Sequence, residues 1–348
     1  AAATLLCAVI FAERLPRART THDIETIPTM SAALCHQLAQ DPLHGSVLEL
    51  PLWWDETRFS NAQQMIHGRP AFAGHTSRFP LRRYYENIPG LTPLTADGKL
   101  YDRDEVTVDP ALLDEAHWRR MQWLFDLTHI IAFPEWTPDH MARLPAVWRP
   151  ELIGTDRDFR LYRLSPPMPS DFDLDLAQRT HGMHFVRGFG EGGAQGIPLL
   201  ADHGEILVRV RPHTGARIML TLRGRRTAGE QIETRVSGGA PRLWPVPAGA
   251  STECVFDVSP AMAGASGHIL ISVSRRASPS HSLLFATRLA LDIEDPPAGL
   301  DADAAADVIL GLRPLGEDGH RWLDANFDGV IDAGDIPLII DQANHRDP

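Results

Sequence analysis

The chain has 348 residues, which points to two or three domains rather than one. Hydrophobic residues make up 43% and charged residues 22%, so a folded core is supported and wholesale disorder is excluded. Lys and Arg number 33 against 45 Asp and Glu, a formal net charge of −12, which argues against a general nucleic-acid binder. Three widely spaced cysteines, Cys7, Cys35 and Cys254, exclude a disulfide framework and a Cys-rich zinc site and allow one disulfide at most.

The run Ala1 to Ala12 (AAATLLCAVIFA) is apolar throughout and is followed by Glu13, Arg14, Pro16 and Arg17. Twelve helical residues span about 18 Å, short of the roughly 30 Å bilayer core. Residues 1–19 are therefore read as a truncated apolar segment: the end of a transmembrane helix, a signal-peptide core, or a buried soluble helix. Arg14, Arg17 and Arg19 favour a cytoplasmic exit by the positive-inside rule, which opposes the extracytoplasmic placement preferred below. No other stretch approaches 18 apolar residues.

Residues 20–165 mix helix and strand signals. Met30, Leu34 and Leu38 have helical spacing, as do Leu112, Leu113, Ala116, Met121 and Leu124. Short strands are expected at Ser46 to Leu52 (ended by Pro51), at His129 to Phe133 and at Phe159 to Leu164. This alternation predicts an α/β domain. Pro166 to Pro169 reads as a linker, and Asp171, Asp173 and Asp175 alternate with apolar residues after it. Residues 170–295 carry short alternating runs between Gly, Pro and Ser turns: EILVRV from Glu205, RIMLTL from Arg217, CVFDV from Cys254, HILISV from His268 and LALDI from Leu289. That pattern predicts an antiparallel β-sandwich. Asp295 to Gly299 is a second linker, and residues 299–345 form an acidic tail module. The fold class is thus multidomain α+β.

The tail carries the strongest chemical signal. Asp324 to Asp335 reads DANFDGVIDAGD. Asp324, Asn326 and Asp328, spaced by two, can aim three oxygens at one centre from an irregular loop. Gly329 permits the sharp turn, Val330 offers its backbone carbonyl, Asp332 acts directly or through water, and Asp335 closes the site. Hard oxygen ligands without Cys or His favour Ca²⁺. Asp335 stands where an EF-hand carries a bidentate Glu, which lowers the expected affinity. The competing reading is an Asp/Gly-rich surface turn. No convincing helix enters the loop, since Gly316 to Leu323 is short and contains Gly319, whereas Ile336, Leu338, Ile339 and Ile340 make an exit helix with Pro337 in its first turn. The loop and exit helix resemble a type I dockerin half-repeat. Asp307 to Leu312 parallels Asp335 to Ile340 as a weaker copy whose loop keeps only Asp301 and Asp303. The resemblance implies a paired-helix module with one intact Ca²⁺ site, metal-linked folding and a cohesin-like partner.

A second resemblance lies upstream. Val47-Leu48-Glu49-Leu50-Pro51, then Gln63 to Pro70 (QQMIHGRP), then Gly74-His75-Thr76-Ser77-Arg78 form a run similar to soluble C-terminal regions of bacterial multi-pass glycosyltransferases of the GT-C class. In that class the catalytic acidic residues lie in early membrane loops, which this chain does not contain. The resemblance therefore implies a non-catalytic appendage, with membrane association through a part preceding residue 1.

Other patterns are weaker. Gly188, Gly190 and Gly193 match a dinucleotide-binding spacing, but Gly196 and Pro198 follow, so a turn is expected. His181 and His184 can share a helical face but have no third ligand. Glu49, His67, His75 and Arg78 can meet around a sugar phosphate or can simply fix loops. Trp53, Trp54, Trp136 and Trp148 can stack on sugars or pack in a core. The sequence leads first to a non-catalytic extracytoplasmic region, periplasmic or at the cell surface, of a membrane glycosyltransferase-like protein with a Ca²⁺-binding tail. The alternatives are a secreted carbohydrate-binding or scaffold protein, with cell-surface carbohydrate or a cohesin-like protein as partner, and a dockerin-bearing glycoside hydrolase, for which no carboxylate pair is identified.

Overall fold

The computed structural model describes residues 30–52, 67–72, 88–91, 94, 113–134, 136–169, 171–177, 179–190, 192–212, 214–224, 230–247, 249–264, 266–276, 284–293, 302–310, 323 and 339. Among them, no helix is long and apolar enough to cross a membrane.

The first region is one mixed sheet with helices on its faces. Helix α1 (Ala32–Gln40) starts where the Ser31 hydroxyl accepts from the Leu34 amide, and it buries Leu34, Cys35 and Leu38. Strand β1 (Ser46–Leu50) pairs in parallel with β2 (Ala71–Phe72) and with β3 (Leu127–Ala132). Both β1 and β3 are buried at every position, as a strand covered on both faces must be. Helix α2 (Glu115–Leu124) is capped by Asp114, whose carboxylate accepts from the His117 amide at 2.7 Å, and leads directly into β3. A short helix α3 (Pro138–Met141) follows β3. The hairpin β4 (Glu151–Asp156) and β5 (Phe159–Arg163) then completes the order β2-β1-β3-β5-β4, with β3 and β5 antiparallel. Because alternate residues face opposite sides, β1 sends Val47 toward α1 with Ile131 and Leu161, and sends Leu48 and Leu50 toward α2 with Ile130 and Tyr162.

The second region is a β-sandwich. One sheet has the order β13-β10-β15-β6, with β8 also on β15: β6 (Phe172–Asp175), β8 (Ile197–Leu199), β10 (Ala216–Gly224), β13 (Ser251–Val258) and β15 (Leu284–Ile293). The other has the order β12-β11-β14-β9-β7: β7 (Phe185–Arg187), β9 (His203–Arg209), β11 (Glu230–Val236), β12 (Arg242–Val246) and β14 (His268–Arg276). All pairings within both sheets are antiparallel. Ile218, Leu220, Cys254, Phe256 and Leu289 from one sheet meet Ile206, Val208, Ile232, Ile269, Ile271 and Val273 from the other in one apolar core. The sequence runs that predict the sandwich fall on β9, β10, β13, β14 and β15, while β11 and β12 carry no such prediction. A short helix α4 (Pro260–Ala263) joins β13 to β14, and α5 (Ala302–Ile309) lies in the tail.

The two regions meet through a buried junction. Arg209, at the end of β9, is 3% exposed and lies over the Trp123 ring, 4.2 Å from its centroid. Its guanidinium donates to the Trp123 carbonyl and to Asp126, both at 2.8 Å, while the Trp123 indole donates back to the Arg209 carbonyl at 2.9 Å. His268 Nε2 is 2.9 Å from the Leu124 carbonyl. Carbonyls at the C-terminal end of α2 thus receive a cation and an imidazole from the sandwich.

Candidate functional site

The tail residues Asp324, Asn326, Asp328, Val330, Asp332 and Asp335 lie outside the described residues. Their described neighbours Leu323 and Ile339 are buried, at 1% and 8% exposure. Among the described residues no group of three or more His, Cys, Asp or Glu side chains is placed to hold a metal ion.

The upstream run lies in the framework of the mixed sheet. Arg69 is 5% exposed and donates through Nε to the Leu38 carbonyl at 2.9 Å and through its other nitrogens to the Asp41 and Leu43 carbonyls. It therefore caps the C-terminal end of α1 and the turn after it. His67 accepts the Arg69 amide on Nδ1 at 3.1 Å, and burial, with Arg69 and His129 nearby, lowers its pKa to about 4. Asp41 receives Arg163, and its Oδ1 lies 3.4 Å from His129 Nε2. Burial alone would raise the Asp41 pKa, but the His129 and Arg163 hydrogen bonds and the Leu43 amide outweigh it and hold the carboxyl well below its usual range. Burial outweighs the Asp41 charge at His129 and lowers the pKa of that imidazole. His67 and Arg69 are thus loop-fixing groups. Glu49 is also buried, and His75 and Arg78 lie outside the described residues.

The other sequence candidates resolve similarly. Trp136 and Trp148 are 0% exposed and belong to the core beneath α2, so neither is a sugar platform; Trp53 and Trp54 lie outside the described residues. Gly188 has φ +76° and Gly193 bridges Gly196, so the glycine run makes β-turn structure rather than opening a helix. His184 ends a 3₁₀ turn and has Nδ1 2.9 Å from the Leu207 carbonyl. Cys35 and Cys254 are free and buried; burial raises both thiols, Cys254 to about 12, which makes them poor nucleophiles.

The described face that presents ordered chemistry to solvent is the outer side of the β12-β11-β14-β9-β7 sheet. Near α2 this face is covered: Leu207 and Val186 pack against the first region's core. Beyond it lies an open grid. Leu243, Glu233, Ser274 and His203 are successive cross-strand partners, and the next row runs through Arg235, Ser272 and Glu205. Glu233 accepts Arg235 at 2.8 and 3.0 Å and Arg276 at 2.6 Å. Those two guanidiniums, Arg235 foremost, hold its carboxyl below the usual range. Arg235 and Arg276 side chains stay 50% and 57% exposed, so their remaining N–H groups face water in fixed directions. Leu243 and Leu270 add exposed apolar surface at 50% and 37%. His203 bridges Ser274 Oγ at 2.9 Å and Glu205 Oε1 at 3.3 Å. The alternation of HGEILVR and HILISVSRR puts these side chains on outer faces, but only the register joins them.

No family model matches the chain, and no curated protein matches it. Solved structures similar to part of it include a family 36 carbohydrate-binding module in complex with calcium and xylotriose, at 9% identity and TM-score 0.26, covering 35% of this chain and 99% of that one. A family 35 carbohydrate-binding module from Cellvibrio japonicus is similar at 17% identity and TM-score 0.24, covering 35% and 92%. A family 61 module in complex with β-1,4-galactotriose is similar at 18% identity and TM-score 0.22, covering 28% and 70%.

Proposed function

We propose that the chain is an extracytoplasmic carbohydrate-binding component of a glycan-handling protein, without glycosyl-transfer chemistry of its own, and that it carries a calcium-holding tail. The observation that carries this reading is the open grid on β11, β14 and β9. Carbohydrate hydroxyls are paired donors and acceptors on a semi-rigid ring, and they are met best by planar groups whose orientation is fixed in advance. Glu233 fixes Arg235 and Arg276, while Ser272, Ser274, His203 and Glu205 continue the polar field across neighbouring strands. Exposed Leu243 and Leu270 can cover the apolar C–H faces of the rings. From Leu243 on β12 to His203 on β9, three strand spacings make this face about 14 Å wide, suited to an extended chain rather than a small molecule in a pocket.

The framework role of His67 and Arg69 supports the absence of glycosyl transfer, because the groups that could have met a sugar phosphate hold backbone instead. The calcium part rests on the oxygen-rich spacing of Asp324, Asn326, Asp328, Asp332 and Asp335, with the Val330 carbonyl, and on the burial of Leu323 and Ile339 beside that loop. A glycan array and affinity electrophoresis with the full chain test the binding. Retardation by at least one polysaccharide, weakened tenfold or more in an Arg235→Ala/Arg276→Ala variant, is the expected result. An empty array together with unretarded migration overturns the reading.

A further inference from the structure

We propose that Ser274, His203 and Glu205 form a nucleophile–base–acid relay that hydrolyses O-acyl esters. Ser274 and His203 are direct cross-strand partners on β14 and β9, and Glu205 follows His203 by two residues on the same face. A carboxylate only accepts hydrogen bonds, so the contact with Glu205 at 3.3 Å places the ring proton on Nε2. Nδ1 of the neutral ring is then the acceptor, and the Ser274 hydroxyl donates to it at 2.9 Å. That is the polarity a serine nucleophile needs: a base on its proton and a carboxylate behind the base. The ring nitrogens exchange their more common roles because the strand register presents Nδ1 to the serine. The His203 side chain is 43% exposed and Glu205 24%, so the trio is open to a substrate. A buried trio of the same chemistry, Thr128–His129–Asp41, shows the contrast: His129 is 0% exposed, and that trio is structural.

In the reaction, Ser274 Oγ bonds to the ester carbonyl carbon as its proton passes to His203 Nδ1, and the carbonyl π pair moves onto oxygen. Arg276, two residues along the same strand face and anchored on Glu233, is the cation available to that oxyanion. Collapse breaks the ester C–O bond, and the alcohol leaves with the proton from Nδ1. Water then attacks the acyl-serine, gives its proton to Nδ1 and releases the carboxylic acid, and Ser274 recovers its proton. Throughout, Nε2 keeps its proton and donates it in the hydrogen bond to Glu205. An open sheet holds a small ester poorly, so the substrate class is an ester carried on a bound polysaccharide. That assignment rests on the proposed carbohydrate binding, whereas the relay itself does not.

The test is labelling of the full chain with a fluorophosphonate, read by intact mass and peptide mapping, beside hydrolysis of p-nitrophenyl acetate. The expected result is one adduct on Ser274, absent in Ser274→Ala and His203→Ala and formed at least tenfold more slowly in Glu205→Gln. Hydrolysis should fall to the solvent background in Ser274→Ala. An unlabelled Ser274 in natively melting protein, or Ser274→Ala hydrolysing like wild type, overturns the relay. Labelling of Ser274 without retardation by any polysaccharide upholds the relay and overturns only the carbohydrate reading.

Discussion

The two regions place their charges differently. The mixed sheet buries Asp41, Glu49, His67, Arg69 and His129 between its strands and α1, whereas the core between the sandwich's two sheets is aliphatic and aromatic, with its buried guanidiniums Arg209 and Arg211 at and just after the end of β9 and several of its ion pairs on the outside. Arg288 with Asp173, and Arg217 with Asp257, are pairs of exposed groups. Desolvating a charge costs several kcal/mol unless every partner is in place, while an exposed pair is worth about 0–1 kcal/mol. The mixed sheet therefore depends on a few irreplaceable contacts, and the sandwich on area.

That contrast can be broken by mutation. The largest loss is expected for Arg69→Ala, which strips donors from the Leu38, Asp41 and Leu43 carbonyls and should cost about 3–5 kcal/mol. Chemical denaturation followed by tryptophan fluorescence would measure it; a loss under 1 kcal/mol would contradict the capping role. Leu220→Ala opens a cavity in the sandwich core and should cost roughly 2–5 kcal/mol, read by the same assay.

Acid should separate the regions next. The His67 pKa is about 4 in the fold against 6.5 in the unfolded chain, so the unfolded state takes up the proton first as pH falls. Stability is therefore full above pH 6.5 and drops by on the order of 2–3 kcal/mol on the way to pH 4. Asp41, also depressed, extends the loss below its ordinary range, because its stabilisation vanishes as the carboxylate is protonated. A His67→Gln variant should flatten the upper part of this profile, and an unchanged slope in urea midpoints against pH would refute the assignment. Chelator should lower the melting temperature of the full chain if the Asp324 to Asp335 loop holds calcium, and Asp328→Ala should remove that response. The smallest effect belongs to Arg288→Ala. Its partner Asp173 is 58% exposed, so the change should stay within about 1 kcal/mol.

Parts of this architecture are readable residue by residue. Helix α1 follows from Leu34 and Leu38 at helical spacing, and β9, β10, β13, β14 and β15 from period-two alternation. The pattern fails at β12, where Pro245 interrupts a short exposed strand, and at β4, where Gly154 and Asp156 weaken the signal. Of the open grid, alternation alone assigns His203, Glu205, Ser272, Ser274 and Arg276 to outer faces. It cannot say that Ser274 lies opposite His203, 71 residues away in sequence.

Local order therefore settled which residues point together along one strand or helix, and it set the oxygen-bearing spacing of the tail loop, because those relations span only a few bonds. Tertiary structure alone decided that β1 lies between β2 and β3, that Arg69 reaches three carbonyls around the end of α1, and that Arg209 lies over the Trp123 ring. The reason is physical. Strand order, register and the partners of a buried charge are fixed by which distant segments exclude water together, and that free energy belongs to the assembled chain rather than to any window of it.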